Sequence, residues 1–426
     1  MARTATRTPP RSTAKAVTRS ASRSGQTSSR SARAGGADRH EIVALVLQGG
    51  GALGAYQAGV MDGLEEADIR PDWVAGISIG ALNSAVIAGN PPGRRAQALR
   101  AFWQDICRPT TPLPLALPLH DALQSFVART SGDARRWFSA LDACRTMLEG
   151  QHGFFTPRWP LPLFQTPMGE EPDPASASFY DTSWLRSTLE RHADFDRIND
   201  GETRVSVGAV NVRSGNFEYF DTRGPSATRL TPEHFMASGA LPPGFPAVKV
   251  GESYYWDGGL VSNTPLAYVL QTEPRRNTLA FQVDLWSARG ELPQNLLEVQ
   301  SRQKDIQYSS RTRAVTDALR KEQRIRRMLR EILEHVPERV RRTDPWCQQA
   351  DAMACGRKCS VIHLIYRDRA YEGHFKDYEF SPSTMNDHWS CGLHDIRASL
   401  EHPEWLQPAA DGSEFITHDI HRSAAG

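Results

Sequence analysis

Three short groups of residues could do chemistry together, and they follow one another along the chain. Gly76-x-Ser78-x-Gly80 sets a serine between small neighbours. A sharp strand-to-helix turn there can lift the hydroxyl out of a sheet and toward a helix N-terminus, which makes Ser78 a candidate nucleophile for acyl transfer. Upstream, Gly49-Gly50-Gly51-Ala52-Leu53-Gly54 is a loop of bare backbone amides. Amides beside a nucleophile can hold the oxyanion of a tetrahedral intermediate, each typically supplying about 2.7–4 kcal/mol of transition-state stabilisation. Downstream, Asp257-Gly258-Gly259 puts a carboxylate ahead of two glycines. A serine hydroxyl needs a base at neutral pH, and no histidine lies inside any of the three groups. Asp257 hydrogen-bonded directly to Ser78 would make a two-residue device. Taken singly, each group is weak. Asp257 could simply cap a turn, GxSxG arises by chance, and Gly49-x-Gly51-x-x-Gly54 satisfies the dinucleotide-binding pattern literally. The dinucleotide reading expects an acidic residue after the second strand, where this chain has the serine turn instead.

The elements that must position these groups are legible around them. Ile42-Val43-Ala44-Leu45-Val46-Leu47 is a continuous apolar run, as expected of a strand buried on both faces. The glycine loop follows at once. Tyr56, Val60, Leu64 and Ala67 then recur at helical spacing, and Pro71 ends that stretch. Trp73-Val74-Ala75 begins a second buried strand that runs into Ser78, and Ala81, Leu82, Ala85, Val86 and Ala88 predict a small-residue helix. Two parallel strands joined by a helix form a right-handed crossover. Residues 91 to about 175 are proline-rich and irregular and read as an insertion that shapes a cleft. Thr203 to Val212 and Phe217 to Phe220 flank the turn Ser214-Gly215-Asn216 as a hairpin. Tyr254-Tyr255-Trp256 leads into Asp257, and Thr264-Pro265 reads as an N-cap followed by proline at the first helical position. Thr278 to Leu285 and Val361 to Tyr366 predict further strands. Leu296 to Arg342 reads as helical and charged, and a shorter helical stretch lies near Ile396-Leu400.

In this order the three groups resemble the patatin-like phospholipase family. Ala237-Ser238-Gly239-Ala240-Leu241-Pro242-Pro243-Gly244-Phe245-Pro246 resembles the family's run of small residues and prolines before its catalytic aspartate. The resemblance covers roughly residues 45–270. Lys304-Asp305-Ile306-Gln307-Tyr308-Ser309-Ser310 and Lys376-Asp377-Tyr378-Glu379-Phe380 resemble a bacterial subgroup with an additional C-terminal region. The resemblance implies an α/β, three-layer fold with a central, mostly parallel sheet, a nucleophile elbow and a helical C-terminal extension. It implies a serine lipid acyl hydrolase acting through an acyl-enzyme, with Ser78 as nucleophile and Asp257 as general base. Gly49, Gly50 and Gly51 would line the oxyanion hole, and Gly54, Gly76, Gly80, Gly258 and Gly259 would be motif glycines. A lipid or acyl-ester substrate is implied, and no metal or organic cofactor. Many family members carry Arg or Lys where this chain has Leu53, from where a cation could help bind a phosphate head group. "Lipid acyl hydrolase" is therefore a safer expectation than "phospholipase". Two alternatives stand beside it. One is a Ser–His–Asp triad using His363, His374 or His388, all downstream of Asp257 as the α/β-hydrolase order requires. The elbow comes only one strand–helix–strand step into the fold, which speaks against it. The other is a catalytically silent, membrane-binding protein on a hydrolase scaffold.

The rest of the chain sets bounds. Its 426 residues carry a formal net charge of +1, which gives no general case for nucleic-acid binding. No long apolar run predicts a transmembrane segment. Residues 1–40 are rich in Arg, Ser, Thr and Ala and read as a disordered basic arm, with a composition that also fits a transit peptide and lacks the apolar core of a secretory signal. The expected division is this arm, a catalytic domain over 41–290 and a helical and mixed C-terminal region over 291–426. Cys347, Cys355 and Cys359 lack the CxxC knuckle of a structural zinc site, so reduced thiols and a cytoplasmic setting are expected. The basic helix at about 320–332 interleaves Arg320, Lys321, Arg324, Arg326, Arg327 and Arg330 with Ile325, Met328, Leu329 and Ile332. That pattern reads either as a solvated helix or as a peripheral membrane contact.

Overall fold

The computed structural model describes residues 40–108, 132–159, 173–224, 226–309, 312–354, 357–369, 371–408 and 415–423. The basic arm, Cys355 and part of the 91–175 insertion lie outside the described residues. Strands in chain order are β1 (Ile42–Leu47), β2 (Trp73–Gly76), β3 (Thr156–Pro157), β4 (Tyr180–Asp181), β5 (Arg204–Asn211) and β6 (Phe217–Asp221), followed by β7 (Val248–Val250), β8 (Ser253–Asp257), β9 (Thr278–Asp284), β10 (Cys359–Ile365) and β11 (Phe415–His418). The helices that matter for the site are α1 (Ala55–Glu66), α2 (Ile79–Ala88), α3 (Arg95–Ile106), α4 (Leu296–Tyr308), α5 (Thr312–Glu334) and α6 (Pro382–Leu400).

Alternation along β1 sets the architecture. Leu45 and Leu47 enter one apolar cluster while Ala44 and Val46 enter another, and all four are fully buried. A strand buried on both faces belongs inside a sheet that is covered on both sides. β1 accordingly pairs in parallel with β2 on one side and β9 on the other. The nine-stranded sheet runs β11-β10-β9-β1-β2-β5-β8-β7, with β6 attached to β5. Strands β11 through β5 are parallel, and β6, β8 and β7 turn antiparallel at one edge. One face carries Tyr56 and Val60 of α1, Val86 of α2, Phe102 and Trp103 of α3, and Trp389 and Ile396 of α6. Each such side chain, fully buried, contributes roughly 1.5–3 kcal/mol. The other face carries Leu266, Val269 and Leu270 of a short helix and Leu319 of α5. The sheet thus lies between two helical layers, and β10 and β11 from the C-terminal region continue it beyond β9.

Register then decides where chemistry can happen. Leu47 is level with Gly76 and with Val283, so the loops that follow β1, β2 and β9 emerge together at the carboxyl edge of the parallel strands. Asp257 reaches that edge from the antiparallel side, opposite Ala209 of β5. Open α/β sheets place their sites at this edge.

Several elements differ from the sequence reading. Thr264 does not cap the helix that follows. That helix is Leu266–Gln271 with Pro265 before it, and the Thr264 hydroxyl accepts from Gln48 Nε2 at 2.9 Å. The stretch near Ile396 is the end of the much longer α6, which Ser381 caps by accepting from Thr384 N–H. Leu296 to Arg342 is divided into α4, α5 and a short helix Glu338–Thr343.

Candidate active site

Ser78 sits on a strained turn between β2 and α2. Its backbone φ is +54°, in the left-handed region, which costs a non-glycine residue of order 1–3 kcal/mol and persists only where surroundings enforce it. The flanking glycines are part of that enforcement. A Cβ at position 76 would lie 2.2 Å from the Gly80 carbonyl oxygen, and one at position 80 would lie 2.4 Å from the Leu47 carbonyl oxygen. Only hydrogen at these two positions lets the turn close against β1. Ser78 N–H donates to Ser238 Oγ at 3.0 Å, and Ser238 Oγ–H donates in turn to the Gly208 carbonyl at 2.7 Å. The elbow is therefore tied to β5 through Ser238, which lies in the small-residue segment before Asp257.

Asp257 closes the arrangement. Asp257 is buried, its carboxylate accepts the Gly259 N–H at 2.7 Å, and the Ser78 side chain is close enough to lower its pKa. Burial pushes its pKa up to about 7 from the ordinary 3.8, against the hydrogen bonds from Ser78 and Gly259 that hold it down. A carboxylate tuned this way takes up and releases a proton near neutrality.

The glycine loop stands over the elbow and is fixed at its start. Gly49 N–H donates to the Asn263 carbonyl at 3.3 Å, and the Gly49 carbonyl accepts from Asn263 Nδ2 at 3.1 Å and from Trp286 Nε1 at 2.8 Å. The N–H groups of Gly50 and Gly51 have no acceptor among the described residues. The amide of Gly49 thus anchors the loop, whereas the next two remain available to a ligand. Gln48 completes the anchor. Its Oε1 accepts from Leu285 N–H and Trp286 N–H, and its Nε2 donates to Thr264 Oγ1 and the Tyr308 carbonyl. Leu53 is fully buried in the main core and does not line the cleft.

These groups open on a cleft. Leu82, Phe154, Phe155, Leu241, Phe245 and Phe380 make one wall apolar, and Phe154, Phe155, Phe245 and Phe380 contact one another ring to ring. Trp286, Tyr308, Asp377 and Tyr378 form another wall. The C-terminal region thus supplies part of the cleft, although its residues lie far from the three motifs in sequence. Ser238, Asn263 and Trp286 are the contributors that sequence reasoning missed. Ser238 lay within a segment quoted only for its resemblance, and Asn263 and Trp286 had no spacing signal at all.

The histidines named for a triad are placed elsewhere. His363 pairs with Asp284 at 2.7 Å, and His388 pairs with Glu372 at 2.5 Å and also meets the Ala52 carbonyl at 3.3 Å. Neither these two nor His374 is among the residues lining the cleft. In α5, Arg320, Arg326, Arg327 and Arg330 form ion pairs with Asp317, Glu322, Glu331 and Glu334 on the same helix, and Ile325, Met328 and Ile332 are exposed among them. No helix among the described residues is long and apolar enough to cross a membrane.

A mostly parallel sheet between two helical layers, with a serine elbow and a glycine loop at its carboxyl edge, is the patatin-like class of α/β fold. The chain belongs to the patatin-like phospholipase family: the family model so described matches residues 45–270, and a second, described as patatin phospholipase, matches residues 306–411. Among characterised proteins, lysophospholipase nte1 of Aspergillus terreus is 56% identical over 46 residues, a match covering 11% of this chain and 3% of that protein. Among solved structures, VipD from Legionella pneumophila aligns over 86% of this chain and 67% of its own, at 13% identity and a TM-score of 0.34. The ExoU–SpcU complex from the type III secretion system of Pseudomonas aeruginosa aligns over 74% of this chain and 59% of its own, at 17% identity and a TM-score of 0.27.

Proposed function

We propose that the protein is a serine lipid acyl hydrolase that works through a Ser78–Asp257 dyad and an acyl-enzyme. The observation that carries this reading is the position of Ser78, held in a strained elbow against a buried carboxylate whose pKa is near 7. The ester lies with its acyl chain along the aromatic wall and its carbonyl oxygen under the amides of Gly50 and Gly51. Asp257 accepts the Ser78 proton as Oγ attacks the carbonyl carbon. The tetrahedral oxyanion takes the two loop amides, and the N-terminal end of α2 adds its dipole. Asp257 then gives the proton to the departing alcohol oxygen as the ester C–O bond breaks. Water, deprotonated by the same carboxylate, attacks the acyl-enzyme and frees the fatty acid and Ser78. Among the described residues that line the cleft there is no histidine to serve as an alternative base. Hydrolysis of a p-nitrophenyl ester by wild type, Ser78→Ala and Asp257→Asn tests the reading. Loss of turnover in both variants, with folding intact, is expected. Undiminished activity in either one removes the dyad.

A further inference from the structure

The dipeptide Lys-Asp stands at 304–305 in α4 and again at 376–377, ahead of α6. In the folded chain the two copies pair crosswise. Lys304 Nζ meets the two carboxylate oxygens of Asp377 at 2.8 and 3.0 Å. Lys376 Nζ meets Asp305 Oδ1 at 2.8 Å and Asp368 Oδ2 at 2.6 Å. The two pairs differ in setting, since the Lys376 side chain is 2% exposed and that of Lys304 is 31% exposed. A buried pair adds little net stability, but it holds its two elements in one relative placement, because any other placement strands a charge.

Both pairs bear on the glycine loop. The Asp377 carbonyl lies so close to Gly51 that a Cβ there would stand 2.3 Å from its oxygen. Lys376 Nζ stands 5.0 Å from the centre of the Trp286 ring, and Trp286 Nε1–H is the donor to the Gly49 carbonyl. One turn beyond Lys304, the Tyr308 carbonyl accepts from Gln48 Nε2 at 3.1 Å and from Asn263 Nδ2 at 2.9 Å. The loop is therefore gripped from α4 on one side and from the 376–377 segment on the other.

We propose that the crossed Lys304–Asp377 and Lys376–Asp305 pairs form a clasp that positions the glycine loop over Ser78. Its four members are positioning residues, and the consequence for turnover rests on the reading of Ser78 as nucleophile. The clasp gives the C-terminal region a place in the reaction. It sets the height and direction of the Gly50 and Gly51 amides, on which transition-state stabilisation depends more steeply than substrate binding does.

The test uses the full-length protein in four forms besides wild type. They are Lys304→Met, Asp377→Asn, the charge exchange Lys304→Asp with Asp377→Lys, and Lys376→Met with Asp305→Asn. The last neutralises both members of the buried pair, and the Asp368 carboxylate that loses Lys376 is partly exposed to water. Four quantities are read: kcat and KM for p-nitrophenyl butyrate, the melting temperature, and hydrogen–deuterium exchange of peptides spanning residues 48–54. Lys304→Met is expected to lower kcat by about 10-fold or more while KM stays within about twofold, since small misplacements of catalytic groups act on the chemical step. Exchange across 48–54 should quicken in the same variant, and the charge exchange should recover most of kcat. Wild-type kcat and wild-type exchange in both Lys304→Met and the buried double variant would overturn the clasp. So would a charge-exchange form no better than the single variants, or a loss that merely tracks melting temperature. If wild type hydrolyses nothing, the exchange data still decide. Faster exchange at 48–54 retains the clasp and discards the nucleophile reading, whereas unchanged exchange discards the clasp.

Discussion

Asp257 is held in a state that costs the fold stability at neutral pH, and this can be measured without any substrate. Its carboxyl titrates near 3.8 in an ordinary setting and at about 7 in the folded protein. A folded-state pKa raised for an acid means that the native state keeps its proton while the unfolded chain gives it up. Between the two values, stability therefore falls as pH rises. The effect is absent below the unfolded value and reaches its full size above the folded one. At roughly 1.4 kcal/mol per unit, the total is about 4 kcal/mol by pH 8, and less than half of it is present at pH 5. Asp257→Asn keeps the shape and can still accept the Gly259 N–H, but it carries no charge. The variant should thus be more stable than wild type at pH 8, with its advantage about 3 kcal/mol larger there than at pH 5. Urea unfolding of both proteins, followed by far-UV circular dichroism at pH 5, 6, 7 and 8, gives the difference directly. A variant that is less stable than wild type at pH 8, or an advantage that does not grow with pH, would refute the claim that Asp257 is an uncompensated buried carboxylate. Catalysis by that group would then need another explanation.

Three further outcomes follow from the same geometry. The rate of ester hydrolysis, as kcat/KM, should rise with pH through about 7 and level off above it, because Asp257 acts only when ionised. A pH–rate profile between 5 and 9 reads this, and Ser78→Gly cannot stand in for it because it lacks the hydroxyl. Ser78→Gly should instead raise stability by about 1 kcal/mol in thermal or urea melts, since glycine adopts the positive φ without strain. Ser238→Ala leaves Ser78 N–H and the Gly208 carbonyl without their shared partner. It should lower kcat by about 10-fold through the loosened elbow and cost about 1–3 kcal/mol in stability. Steady-state kinetics beside a denaturation curve separates the two effects.

Much of the catalytic half was legible because local rules and tertiary demands coincide there. The apolar run of β1 can only be buried on both faces, and the elbow glycines are required by carbonyls that the strand itself supplies. Asp257 could be read as a strand-end carboxylate, although nothing in DGG told how deeply it would be buried. The depth comes from the antiparallel side of the sheet, where β8 pairs beside β5 and brings Asp257 opposite Ala209, and the pKa follows from the depth. The C-terminal region was harder. The pattern of α6 is weak because its buried face includes polar and small residues, Thr384, His388, Gly392, Asp395 and Ser399, with Gly392 packed against the backbone of α1. The two Lys-Asp dipeptides are noticeable only as a resemblance in sequence. Their pairing depends on bringing α4 beside the segment before α6, a contact between residues more than a sheet strand apart in topology. Trp286 and Asn263 illustrate the same limit, since each serves the glycine loop through hydrogen bonds to the Gly49 backbone and leaves no periodic trace.

The central claim is that Ser78 attacks the acyl carbonyl and carries the acyl group. Incubating the protein with p-nitrophenyl butyrate, quenching in acid within the first turnovers and mapping peptides by mass spectrometry tests it most directly. A butyryl adduct on the peptide containing Ser78, absent from Ser78→Ala, is expected together with a matching burst of nitrophenolate. Steady hydrolysis with no adduct at Ser78, undiminished in Ser78→Ala, would contradict it.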